Sequence, residues 1–318
     1  MTNTDEINPF YHSLNGDRQE DKKLLEPFKY IIQLPGKLIN QKLAQAFNYW
    51  LKISPDKIQA IDEIIIMLYN SCLLIDDIED NSILRRGAPV AHSVYGVSRS
   101  LNAATYALFV AMEKVINLQH STAIKVYMEQ ILELHRGQGM EIFWRENCIC
   151  PSETDYKTIA TRKMGSVFNL IVKLMKLFST YEEDLSLLVT ILGLHFQIRD
   201  DYGNLKVDKY TENKTYCDDL SEGKFSFPIV HAITTNPDDS ELIKISLIND
   251  KDIVKQKTKN IEMKRYCVKL LEKFGSFEYT RNVLKKLDMQ ARAEIERLGG
   301  NPFLTKILDE LKNWDYWN

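Results

Sequence analysis

Apolar residues recur along nearly the whole chain at intervals of three and four, the spacing that lines side chains up on one face of an α-helix. Ile61, Ile64, Ile65, Leu68, Cys72 and Ile75 form one stripe, and Leu187, Leu188, Ile191, Leu192 and His195 another. No stretch alternates convincingly with period two. The breaks are short and rich in turn formers: Pro35-Gly36, Ser54-Pro55-Asp56, Pro151-Ser152-Glu153, Asn236-Pro237-Asp238 and Gly299-Gly300-Asn301-Pro302. This punctuation predicts helices near 37–51, 56–82, 98–118, 121–145, 154–178, 182–205, 225–234, 261–274, 276–297 and 302–315. Ser54 and Ser152 read as helix starts. The result is an all-α bundle, with 206–224 as a long loop whose length points to function.

Composition supports one globular unit. The 318 residues are 44% hydrophobic and 27% charged, and no linker divides them, so 1–21 is expected to be a flexible leader and 22–318 a single domain. The formal net charge of −3 offers no footprint for nucleic acid and no basic face for a membrane. No apolar run reaches the roughly 20 residues that span a bilayer. The five cysteines are odd in number and lack metal-ligand spacing, which fits reduced thiols and a cytoplasmic protein.

Chemistry enters where the helical pattern carries charge. In LLIDDIEDNSILRRG, residues 73–87, Asp76 and Asp80 share a helical face, with Asp77 beside them. Clustered carboxylates behind an oily helix need cations, and hard oxygen ligands suit Mg²⁺, which takes one or two carboxylates plus substrate phosphates. A solvated acidic helix end would explain one such motif. A second, HFQIRDDYGN, places Asp200 and Asn204 at the same spacing behind another apolar helix. Arg85 and Arg86 follow the first cluster, Lys214 and Lys224 the second, and Lys163 precedes Gly165 at the head of a further apolar helix. Each cation alone could be a solvated surface charge. Together with two carboxylate clusters they describe a diphosphate site.

DDIEDNS, LRRG, PVAHS, LELH, GQG, FQIRDDY, EGKFSFP, HAI and GSFEYTRN make the chain resemble the trans-isoprenyl diphosphate synthases, in particular the geranylgeranyl diphosphate synthases of animals, from about Leu24 to Pro302. The resemblance implies an all-α isoprenoid synthase fold with a central cavity between the two aspartate motifs. It implies Mg²⁺, as three ions, on Asp76, Asp77, Asp80 and Asp200, with Asp201 in support. Arg85, Lys163, Gln197, Lys214 and Lys224 become contacts for an allylic diphosphate, and a homodimer or larger homo-oligomer is expected.

Departures from the family wording bear on what the chain makes. The family grips isopentenyl diphosphate, the five-carbon extender, with Lys and Arg of a GKxxR stretch, a His ahead of the first motif, and the second Arg of RRG. The corresponding residues here are Lys37, Asn40, Tyr69 and Arg86. Two charge-assisted contacts are thus missing, each worth roughly 1.5–3 kcal/mol, which weakens extender binding by on the order of 10²- to 10⁴-fold. The resemblance makes the helix of Met164, Phe168 and Ile171 a wall of the chain-length cavity; there this chain carries bulk, with Ser166, Asn169, Ile171 and Lys173 where the family has mostly small residues, and Met164 in place of Thr, whereas Ser71 and Cys72 stay small and argue for longer products. The expectation is a terpene synthase that ionises geranyl diphosphate and releases an acyclic monoterpene. A geranylgeranyl diphosphate synthase that tolerates Asn40 and Tyr69, or a weakly active regulatory subunit, are the alternatives.

Overall fold

In the computed structural model, residues 18–34, 36, 38–206, 216–237 and 261–312 are described. The chain is all-α, as the periodicity predicts. Helices α1 (Arg18–Leu24) and α2 (Glu26–Gln33) precede α3 (Ile39–Leu51) and the long α4 (Pro55–Glu79). A minimal hairpin, β1 (Leu84–Arg85) and β2 (Ala88–Pro89), leads to α5 (Ala91–Tyr95), α6 (Val97–Ile116) and α7 (Ala123–Asn147). Then come α8 (Glu153–Ala160), a π-helical turn (Thr161–Gly165), α9 (Ser166–Lys176) and α10 (Ser186–Lys206). Helices α11 (Asp218–Glu222), α12 (Phe227–Thr235), α13 (Ile261–Lys273), α14 (Ser276–Arg297) and α15 (Pro302–Lys312) complete the described fold.

Several elements differ from the sequence reading. Helix α1 starts within the stretch expected as a leader, where Asp21 is buried and accepts from the Tyr106 hydroxyl at 2.5 Å. Helix α2 carries Pro27 in its first turn and is too short for a clear stripe. The helix expected over 154–178 is interrupted by the π-turn. Part of the expected loop 206–224 is α11; residues 207–215 lie outside the described part. Ser54 and Ser152 do precede helices, and the Ser152 hydroxyl caps α8 by accepting from the Asp155 N–H at 3.1 Å.

Two apolar clusters build the core. The larger joins α2, α3, α4, α6, α7, α9, the first half of α10, the end of α14 and α15; the smaller joins α8, the second half of α10, α12, α13 and the rest of α14. Helix α10 belongs to both, so its acidic end emerges where they meet. Helix α4 is long and apolar enough by composition to cross a membrane, but half of its most apolar window is buried within the bundle, chiefly against α6. That burial gives its oily length a reason.

Candidate active site

The last turn of α4 presents the first acidic cluster. Arg85 Nε donates to Asp77 Oδ1 at 2.8 Å, and its Nη2 reaches Asp76 Oδ2 at 3.1 Å. Gln138 of α7 donates to Asp76 Oδ1 at 3.0 Å and to Glu79 Oε2 at 2.9 Å. Arg145, two turns further along α7, pairs with Asp80 and donates to the Glu79 carbonyl at 2.9 Å. The three aspartates are not equivalent: Asp77 is 1% exposed and faces inward to Arg85, whereas Asp76 is half-buried. Burial, with Asp76 and Glu222 beside it, pushes the Asp80 pKa upward, and Arg145 and Lys163 pull it back down.

On α10 the second cluster divides. Asp200 is half-buried, but Asp201 is fully buried and receives four donors: the Tyr156 hydroxyl, Gln197 Nε2 at 2.9 Å, the Phe227 backbone N–H at 2.8 Å and Lys224 Nζ at 3.3 Å. The Phe227 N–H belongs to the first turn of α12, whose dipole favours a carboxylate. Asn204 does not share a metal-facing surface with Asp200. It is buried, and its Oδ1 accepts from the Asp219 N–H at 3.1 Å, fixing the start of α11.

The expected phosphate-binding cations are paired within the protein. Lys163 leaves the π-turn and meets Glu141 of α7 at 2.5 Å; burial pushes its pKa down, but Glu141 outweighs that and holds it above the usual value. Lys224 is likewise held well above its usual value, because Asp201 and Asp219 outweigh its burial. Lys163 and Lys224 therefore stay charged near neutrality. A phosphate with its metal ions would exchange ionic partners rather than recruit new charge. Between Glu141, Tyr156, Lys163 and Gln197 lies a small cavity with room for about one water molecule.

On the other side of the hairpin, Arg86 and Gly87 both have positive φ, +54° and +77°, as a two-residue type I′ turn requires. This turn sends the two arginines in opposite directions. Arg86 Nη1 donates to the Ile31 and Leu34 carbonyls at 3.0 and 3.3 Å, capping the end of α2, and Nη2 donates to Asn70 Oδ1 at 3.2 Å. The guanidinium rests on Gly36, where a Cβ would come within 3.1 Å of it. Asn40 is buried, and its Oδ1 has no hydrogen-bond partner. Tyr69 is half-buried within the fields of Arg86, Asp200 and Arg85. Lys37 and Lys214 lie outside the described residues.

Below the aspartates, Ser71 is buried with its hydroxyl turned back to the Met67 carbonyl at 2.7 Å, and Cys72 is half-buried. Phe168 and Ile171 of α9 are each 1% exposed, and Phe168 meets Phe196 edge-on at 5.3 Å; Met164 is half-buried in the π-turn. The bulk noted in the sequence is therefore turned inward.

Sequence reasoning overlooked Gln138, Glu141, Arg145 and Tyr156. The first three stand at spacings of three and four on one face of α7, a signal that was available; Tyr156 looks like an ordinary core aromatic. Among the described residues no three acidic, His or Cys side chains converge as a ready metal site. The donor set still fits Mg²⁺, since hard carboxylates in ones and twos leave its other positions for water and phosphate. Asp76, Asp80 and Asp200, which are not turned wholly into the core as Asp77 and Asp201 are, would be the carboxylates to serve it.

The polyprenyl synthetase family model matches residues 21–271. A terpene synthase of Matsumurasca onukii is 58% identical over 301 residues, covering 95% of this chain and 97% of the relative. A geranylgeranyl pyrophosphate synthase of Mucor circinelloides f. lusitanicus is 42% identical over the same length and coverage. One from Dictyostelium discoideum is 41% identical over 295 residues, covering 93% of this chain and 95% of the relative.

Proposed function

The chain belongs to the polyprenyl synthetase family, and from that premise we propose that it is a terpene synthase, ionising geranyl diphosphate and releasing an acyclic monoterpene such as ocimene or myrcene. Work on prenyl diphosphates follows from the family. Hydrocarbon release rather than elongation is supported chiefly by Arg86: the one described cation of the expected extender site is already bonded to two backbone carbonyls and Asn70. Asn40 and Tyr69 bring no charge to replace it. The 58% identity to a relative named as a terpene synthase points the same way.

Asp76, Asp80 and Asp200 would hold Mg²⁺, which when bound neutralises the diphosphate and makes it a better leaving group, while Asp77, expected from the resemblance as a fourth ligand, is turned inward and positions Arg85. Arg85, Lys163 and Lys224, with Gln197 beside them, bind its oxygens more strongly as charge builds on breaking the C–O bond, and this is what lowers the barrier. Asp201 does not touch substrate in this scheme; it positions Lys224 and Gln197. Phe168, Phe196 and Ile171 keep water from the allylic cation. Proton loss to the departing diphosphate then ends the reaction, because no extender is held nearby to attack.

Purified protein with Mg²⁺ is to be given geranyl diphosphate alone, then with isopentenyl diphosphate, while volatiles and longer diphosphates are measured. Volatile hydrocarbon without the second substrate is expected. Efficient elongation with no volatile would instead make the chain a geranylgeranyl diphosphate synthase, the reading that small Ser71 and Cys72 favour.

The expected homodimer has a surface to use. Leu101, Phe109 and Ile116 on α6, and Met128, Leu132 and Phe143 on α7, are exposed apolar side chains at helical spacing on adjacent helices.

A further inference from the structure

Arg145 falls in none of the stretches that the sequence reading assigned to phosphate. It sits against the first cluster. Its side chain and that of Asp80 are only 13% and 7% exposed, and Nη1 is bonded to Asp80 Oδ1. Nη2 is anchored on the Glu79 carbonyl, the last of α4, at 2.9 Å. The stem runs beneath Gly223, where a Cβ would stand 3.6 Å from Arg145 Cγ. The guanidinium is therefore held on a carboxylate oxygen that a metal ion would need.

We propose that Arg145 is the resident counter-ion of the first metal site: it occupies Asp80 until a divalent cation displaces it, and thereby sets how tightly the cluster takes up metal before substrate arrives. This rests on the proposed role of Asp80 as a Mg²⁺ ligand. One carboxylate oxygen cannot serve both partners at full strength, and the two cations repel each other. Displacement does not strand the guanidinium without charge partners, because Glu141 and Glu222 also lie within its field. A buried carboxylate cluster is thereby kept compensated in the empty protein and becomes available only against the stronger pull of a doubly charged ion. Arg145 is a positioning residue, acting on Asp80 rather than on substrate.

The test is Mn²⁺ binding to the full chain without substrate, followed by electron paramagnetic resonance and Mg²⁺ calorimetry, for the natural protein and for Arg145→Met, Arg145→Lys and Asp80→Asn. Losing a charge-assisted competitor is expected to tighten binding roughly tenfold in Arg145→Met. Arg145→Lys keeps the charge but cannot span both Asp80 and the Glu79 carbonyl, so it is expected to tighten binding several-fold. Asp80→Asn is expected to weaken it at least tenfold. Unchanged or weaker binding in Arg145→Met overturns the proposal. Tightening in Arg145→Met with none in Arg145→Lys also overturns it, since bulk charge would then account for the effect. If Arg145→Met does not fold by circular dichroism, Arg145→Lys decides alone. Unaltered binding in Asp80→Asn would fail the reading of Asp80 as a ligand instead, and the counter-ion role with it.

Discussion

Asp200 and Asp201 are neighbours in sequence with different surroundings, one half-buried and one fully buried under four donors. Tyr156→Phe removes one of those donors and leaves the ring, so a looser Asp201 should misplace Lys224. A roughly tenfold lower kcat with unchanged circular dichroism is expected; an unaltered kcat would leave Tyr156 a packing role only. At the extender site, Asn40→Arg together with Tyr69→His restores the two missing charged groups and is expected to raise chain elongation. If affinity for isopentenyl diphosphate does not change, the account of those positions is wrong. Asp62 is a third case: burial alone pushes its carboxyl up to about 6 from an ordinary 3.8. The folded chain binds that proton more readily than the unfolded one, so the charged form is destabilising above pH 6. Asp62→Asn is expected to melt higher than the natural protein at pH 7.5, with the gap closing near pH 4.

At the scale of elements, the π-turn is what sends Lys163 toward Glu141, and it is wedged from two sides. A Cβ at Gly193 of α10 would lie 2.7 Å from Gly165 Cα, and one at Gly137 of α7 would lie 2.9 Å from Lys163 Cγ and 3.1 Å from its backbone N. The first of these contacts is with backbone, which cannot rotate aside. Gly193→Ala is thus expected to destabilise the fold by about 1–3 kcal/mol and to disturb Lys163, read as a lower melting temperature and a raised KM; an unchanged melt would show that the turn yields. Nothing in the local spacing of TRKMG marks a π-turn, since the apolar stripe runs through it. Only the close approach of α7 and α10 makes sense of glycine at positions 137 and 193.

Across the whole molecule, His195 is buried with its Nδ1 unpartnered and its pKa pushed down to about 4 by burial, with Arg199 and Lys312 adding to the effect against Asp288. Arg199 also ties α10 to α15 by donating to the Leu311 carbonyl at 2.8 Å, so a charge on His195 would arise where three helices meet. The native state holds His195 neutral, while the unfolded chain takes up its proton near the ordinary 6.5. Stability from this group is complete above pH 6.5 and is lost as the pH falls toward 4. His195→Gln is expected to flatten that part of the stability profile in urea titrations at successive pH values; an equally steep decline would place its origin elsewhere. At the same scale, Phe109→Glu on the exposed apolar face of α6 is expected to turn a dimer into a monomer by sedimentation, with the helical content kept.

What was legible in the sequence is what depends on near neighbours along a helix. Periodicity determined the helical class, Ser152 the start of α8, and the repeated aspartates the presence of two acidic clusters. The departures at Asn40 and Tyr69 could likewise be read by position. Partnership could not be read. That Asp77 turns in to Arg85, that Asn204 serves α11 instead of joining Asp200, and that Arg86 caps α2 were all decided when helices distant in sequence came together. The physical reason is burial: once α7 and α10 close over the clusters, every charge must find a counter-charge or a hydrogen bond, and which one it finds depends on separations of a few ångströms that no residue spacing along the chain encodes.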